Sequence, residues 1–259
     1  GSMNRMKIAA AVASVALLVS GCTYGRDDAS KETALEIVDG VDNPLSTGGN
    51  ALPSKDFTMK AEMVIRSQKT SEPTRGRMEI SYDAETSTLK ATSSSPDENS
   101  TIYLVKNDNN YNAYENIDGL WSKETLNKTT FDNALTGATA GLSDLHQLIE
   151  DSDDVDVEVT DDYYILSAEP PAGTLTSMTK QFDDNGAEEE AEDAEKGQIE
   201  FAIAKNSKKL TAMKVKIKGS KDKTYGNYSL TYDIKISDDA NVSLKVPDEA
   251  KNAPTQGVL

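Results

Sequence analysis

The sequence predicts an α+β fold that is mainly β: a single large curved antiparallel sheet with two helices on its concave face. Three observations carry this expectation. From residue 55 onward most of the chain alternates apolar and polar side chains, as half-buried strands do. Short turn-forming segments separate the alternating runs, so successive strands should pair antiparallel. Two stretches instead repeat apolar residues every three or four positions, as amphipathic helices do.

Taken in order, Phe57, Met59, Ala61, Met63 and Ile65 alternate with Thr58, Lys60, Glu62 and Arg66. Met78, Ile80 and Tyr82 follow the turn at Pro73, and Leu89 and Ala91 follow a short turn at Ala84 to Ser87. Ile102 to Val105 and Tyr111 to Tyr114 flank Asn107-Asp108-Asn109-Asn110, a hairpin-turn composition. Thr125 to Glu150 then spaces Phe131, Leu135, Ala138, Leu142, Leu145 and Ile149 as one amphipathic helix. Val155, Val157 and Val159 alternate with acids, and Tyr163 to Leu166 continues after Asp161-Asp162. Ala172 to Lys196 reads as a helix in its first half, through Leu175, Met178 and Phe182, and as an acidic run from Asp183 to Glu195. Four strands should close the chain: Ile199 to Ile203, Met213 to Ile217, Tyr228 to Ile236, and Val242 to Val246 before Pro247. A sheet of about ten strands exceeds the usual size of roughly 4 to 6 and is expected to curve strongly.

The amino terminus does not belong to this fold. Residues 1–2 read as a cloning scar and 3–21 as a lipoprotein signal peptide, with Arg5 and Lys7 ahead of an apolar run from Ile8 to Val19. That run is too short to span a bilayer, which takes roughly 20 residues. Val19-Ser20-Gly21-Cys22 resembles the bacterial lipobox, and Cys22 is the chain's only cysteine. Lipidation at Cys22 would place the protein on the extracytoplasmic face of the bacterial cell membrane. Residues 22–54, rich in Gly, Asn and Pro, read as the acylated Cys and a flexible tether with at most a short helix around Glu32 to Val38. Residues 55–250 form the domain and 251–259 a tail.

The formal net charge is −17, and loss of Arg5 and Lys7 with the signal leaves the remainder more acidic still. Such a chain repels nucleic acid, so no nucleic-acid partner is expected. One cysteine allows no internal disulfide, so stability must come from an apolar core. His146 is the only histidine, and neither G-x-S-x-G nor H-E-x-x-H occurs. No catalytic residue, metal site or cofactor is therefore expected, and the chain should not be an enzyme. Only carboxylate-pair chemistry stays open, without a pair to point to. Asp151, Asp153, Asp154, Asp156 and Glu158 lack the order of a calcium loop and read as a solvated strand face. Glu188 to Glu190 read as a solvated loop, and Trp121 as a hinge after the fifth strand or a ligand-facing ring.

The strand run, Gly119-Leu120-Trp121, the helix after it and Tyr163-Tyr164-Ile165-Leu166 together resemble bacterial lipoproteins with the half-barrel fold of the LolA/LolB carriers and the mycobacterial LppX/LprG lipoproteins. Lys208 to Val215, the strand from Tyr228 to Ser237 and the close at Val246-Pro247 are also similar, so the resemblance spans most of residues 55 to 250. It implies a half-barrel, and in the known carriers that half-barrel encloses an apolar cavity for acyl chains. From the residues themselves, Met59, Met63, Met78, Met178 and Met213 all fall at apolar positions, and methionine suits adaptable apolar surfaces. The expected wall of a ligand site draws on Met59, Met63, Met78, Ile80, Leu135, Met213, Val215, Leu230 and Tyr232, and the acidic exterior favours an apolar or cationic ligand over an anionic phospholipid unless Lys214, Lys216 and Lys218 offset it. The function expected is that of a surface-anchored, non-catalytic lipoprotein that binds or carries a lipid or other apolar ligand. The alternative is a structural or protein-interaction module of the cell envelope with no cavity. No particular protein partner can be read from the sequence.

Overall fold

The computed structural model describes residues 22–23, 28–43, 53–138, 144–179, 194–238 and 241–255. Residues 1–21, read above as scar and signal peptide, and most of the acidic run from Asp183 lie outside the described residues. The architecture is one open, curved, antiparallel sheet, the mainly β class the sequence predicts. Its twelve strands are β1 (Cys22–Thr23), β2 (Phe57–Ser67), β3 (Thr74–Asp83), β4 (Thr88–Ser94), β5 (Asn99–Asn107), β6 (Asn110–Ile117), β7 (Leu120–Leu126), β8 (Asp153–Val159), β9 (Tyr163–Glu169), β10 (Ala194–Ala204), β11 (Leu210–Asp222) and β12 (Gly226–Ser237). The helices are α1 (Asp28–Asp39), α2 (Lys128–Ala138), α3 (Leu145–Glu150), α4 (Ala172–Thr179) and α5 (Asp248–Lys251).

In space the strands run β1-β8-β9-β10-β11-β12-β2-β3-β4-β5-β6-β7. Each half of the chain is a meander of hairpins, and the pairing of β12 with β2 fuses them, Tyr228 opposite Ser67 and Ser237 opposite Thr58. Period-two patterning fixes the register, because a one-residue slip would move every apolar side chain to the wrong face. The concave face collects Phe57, Ile80, Leu104, Phe201 and Ile234, each at 1% exposure or less. Against it pack Ala34 and Val38 of α1, Phe131 of α2, Leu145, Leu148 and Ile149 of α3, and Leu175 of α4.

Several expectations require correction. The stretch read as a flexible tether holds α1, a 12-residue helix whose Ala34 and Val38 join the main core, so the folded unit begins well before residue 55. Its amphipathic spacing (Ser30, Ala34, Val38) is weak in apolar content, which hid it. The single helix over Thr125 to Glu150 is two helices, and Asp144 caps the second by accepting from Gln147 N at 3.0 Å. Of its apolar row, Phe131, Leu145 and Ile149 are buried, at 1%, 5% and 0%, while Leu142 and the side chains of Leu135 and Ala138 lie outside the described residues.

From residue 55 onward six strands, not five, precede α2, because Trp121 lies on β7 rather than at a hinge. The β6–β7 turn is Asp118-Gly119, with φ of 49° and 95°, the Asp-Gly pair that a two-residue hairpin favours. After α4 there are three strands, and β10 begins at Ala194 inside the acidic run. Val242, Leu244 and Val246 form no strand. Their segment crosses the convex face, where Val246 and Ala250 cover Tyr103 and Val105. The backbone N–H of Val242 donates to Asp56 and that of Leu244 to Asp83, each at 3.0 Å, so the hydrogen bonds a sheet ladder would use go to carboxylates. The described part of the tail, to Thr255, is likewise integral: Ala253 is buried, and Lys123 N donates to Pro254 O at 3.0 Å, which covers part of the exposed edge of β7.

His146, half exposed on α3, meets Asp39 of α1 with Nδ1 and Oδ1 2.6 Å apart. The hydrogen bond to Asp39 raises the imidazole above its ordinary value of 6.5, against a small opposing effect of burial, and Glu150 and Asp144 add to the rise. The pair's contribution is full below about pH 6.5 and is lost as pH rises through the raised value of the folded state. Thermal melts should therefore show slightly lower stability at alkaline than at mildly acidic pH, and His146→Gln should flatten that difference. An unchanged pH profile in the variant would remove this pair from any role in docking α1.

Candidate functional site

Eight of the nine expected wall residues come together. Met59, Met63, Met78, Ile80, Met213, Val215, Leu230 and Tyr232 share the concave face of four adjacent strands, β11, β12, β2 and β3. The register makes them neighbours: Met63 lies opposite Tyr232, Met59 opposite Ile80, and Val215 opposite Tyr232. Ala61 sits in the middle of this floor, between Met78 and Ile234. The ninth, Leu135, belongs to α2, and its side chain lies outside the described residues.

The floor is closed over. Its eight side chains range from 0% to 7% exposure, with Ile80 and Val215 at the low end and Met63 at the high end. The roof is made of short elements, α2, α3 and α4, together with α1. Helix α4 is docked closely, because the missing side chain of Gly197 makes room for Leu175: a Cβ there would lie 2.5 Å from a Leu175 methyl and 2.9 Å from the Lys216 carbonyl. Burial pushes the Tyr232 hydroxyl well above its ordinary range, so it stays protonated as part of the apolar floor.

The other face is polar or filled. Lys214, Lys216 and Lys218 alternate with the floor residues of β11 and point away from it, and Lys214 lies 3.7 Å from Asp233. Burial raises the Asp233 carboxyl above its ordinary value, with Lys214 opposing the rise. Trp121 packs on the convex side, 6.2 Å from the ring of Tyr103 beneath the C-terminal segment, so it is no part of the concave site. A cleft of about 710 Å³ runs along β3 to β6, lined by Arg77, Thr92, Asn99, Thr101 and Asp118 among others, and it includes the floor residue Met78. Among the described residues no group of three or more His, Cys, Asp and Glu side chains could hold a metal ion. Nor is any described helix long and apolar enough to cross a membrane.

What the fold and the floor define is a mainly β, half-barrel-like domain with an apolar concave face under a helical roof. The sequence matches no protein-family model and no curated protein. Solved structures similar to it include a DUF1329 family protein from Desulfovibrio piger ATCC 29098, at 8% identity over 85% of this chain and 96% of that one, with a TM-score of 0.28. A putative outer membrane lipoprotein-sorting protein domain from Vibrio parahaemolyticus is 9% identical over 82% and 95%, with a TM-score of 0.27. MucB in complex with MucA(peri) is 9% identical over 86% of this chain and 61% of that chain, with a TM-score of 0.26. Likenesses of this size carry no argument about function, which rests on the chain's own residues.

Proposed function

We propose that the chain is a non-catalytic, extracytoplasmic lipoprotein, anchored through Cys22, that takes up an apolar ligand such as an acyl chain between its concave sheet face and its helical roof. The observation that supports this most directly is the floor itself. Four methionines and four other apolar or aromatic side chains form one contiguous surface over four strands, and methionine adapts to ligands of varied shape. The roof consists of helices of 12 residues or fewer, so parting it costs less than opening the sheet. Uptake on this reading requires the roof to move, since the floor side chains are buried beneath it.

A second reading has its own observation in favour. Near-zero exposure of the floor suits a filled core, and with it an envelope module that acts through its outer surface. Lipid extracted from the purified protein and quantified per chain separates the two. The carrier reading expects bound lipid in the wild type and reduced occupancy in Ala61→Trp, where the ring enters the floor between Met78 and Ile234. Overfilling costs about 1–3 kcal/mol, so Ala61→Leu, a smaller insertion, and a thermal melt of both variants keep loss of ligand separate from loss of fold. Equal occupancy in folded variants would move the site elsewhere, and no lipid in any of them would favour the interaction module.

A further inference from the structure

Lipid attachment at Cys22 leaves open which side of the domain meets the bilayer, and the fold narrows the choice. Only residues 24 to 27 separate β1 from α1, and α1 is part of the core from Ser30 onward. Six residues of fully extended chain reach about 20 Å, so Cys22 stays close to the domain whatever path those residues take. Its backbone pairs with Val159 at the end of β8, with Thr23 opposite Glu158. Val159 lies opposite Tyr164, and Tyr164 opposite Ile203, so the β8–β9 turn and the Lys205–Lys209 turn form the same end of the sheet.

That end carries side chains suited to a head-group layer. Tyr163 is 40% exposed, one of two large hydrophobic side chains so exposed among the described residues. Lys205 and Lys208 both reach over the ring of Tyr164, with Nζ 5.8 and 5.4 Å from its centre. Tyrosine places its ring at the boundary between acyl chains and water, while lysine extends its ammonium to phosphate. Asp161 and Asp162 stand in the same turn, so the rim is mixed in charge, on a chain whose net charge is −17. We propose that this rim, formed by Tyr163, Tyr164, Lys205 and Lys208, is the surface that rests on the phospholipid bilayer, with the strand axes pointing away from it. The proposal rests on the reading of Cys22 as the lipidated residue.

The experiment is amine footprinting of the lipidated protein reconstituted in phosphatidylglycerol–phosphatidylethanolamine vesicles, read by peptide mass spectrometry, with intact mass reporting the acyl chains on Cys22. Lys221 and Lys223, exposed in the β11–β12 turn at the opposite end of the sheet, are the internal reference. The full-length Cys22→Ser chain in solution supplies the unanchored ratio. On vesicles, labelling of Lys205 and Lys208 should fall at least about threefold relative to Lys221 and Lys223, as amines engaged with head groups do. An acylated protein whose four lysines keep the solution ratio would overturn the orientation while leaving the anchor intact. Equal protection in the Cys22→Ser chain would assign it to the protein itself and overturn it too. Absence of acyl mass on Cys22 would overturn the anchor, and the orientation with it.

Discussion

Cys22→Ala is expected to abolish stable membrane attachment of the mature chain. The lipobox-like Val19-Ser20-Gly21-Cys22 supplies one thiol, and no other cysteine can take its place. Each acyl methylene buried in a bilayer contributes about 0.8 kcal/mol, so two chains hold a protein that one holds only marginally. No described helix is long and apolar enough to span a membrane in its place. The rim of Tyr163, Lys205 and Lys208 is a contact surface, too small to retain the domain alone. In fractionated cells the variant should appear either in the soluble fraction or as a heavier, unprocessed precursor held by its uncleaved signal. A variant of mature mass that sediments with membranes as completely as the wild type would remove the lipid anchor, and with it the orientation argued from it.

What the sequence disclosed was the part of the fold governed by alternation. Every strand with an apolar concave row was legible, from Phe57-Met59-Ala61-Met63-Ile65 to Tyr228-Leu230-Tyr232-Ile234-Ile236. So was the shared concave face of eight of the nine residues expected in the wall, because side-chain period alone decides which face a residue takes. β7 was missed for a physical reason. Its residues facing the same way as the concave rows beside it include Ser122 and Glu124, so the row shows no apolar pattern, although Asp118-Gly119 marked its turn. Helix α1 was underestimated because the core accepts it through small residues such as Ala34; α4 was legible as a helix through Leu175, but its docking against a glycine on a distant strand, Gly197, was not. The C-terminal segment misled in the opposite direction. Val242, Leu244 and Val246 alternate as a strand would, yet their partners are carboxylates and a convex-face cluster that only the assembled sheet provides. Local period reports which side of a chain is apolar; it does not report which surface receives it.

Those carboxylates give a large stability effect for single polar side chains. Asp83, at the end of β3, is 3% exposed and accepts from the backbone of Glu85 at 3.1 Å, Thr86 at 3.3 Å and Leu244 at 3.0 Å. Asp56 repeats the arrangement beside it, accepting from Ala84 at 2.8 Å and Val242 at 3.0 Å. The two residues therefore close the β3–β4 turn and fasten the C-terminal segment to the sheet. Replacing Asp83 with Ala leaves three backbone N–H groups short of an acceptor, two in the turn and one in the crossing segment. A hydrogen bond to a charged group is worth about 1.5–3 kcal/mol, and neighbouring bonds are not additive, so the loss should be about 3 kcal/mol. Asp83→Asn, which keeps one carbonyl oxygen, should lose less. Burial pushes the Asp83 carboxyl upward, but the hydrogen bonds from Leu244, Thr86 and Glu85 outweigh it and hold it below its ordinary 3.8. Its contribution is thus present above that ordinary value and fades as pH falls through the lower value of the folded state. Chemical denaturation at neutral pH should show the deficit in Asp83→Ala, and the gap between wild type and variant should narrow only in strong acid. A variant as stable as the wild type at neutral pH would mean that the crossing segment is held by Val246 and Ala250 on Tyr103 and Val105, with the carboxylate clamp contributing nothing measurable.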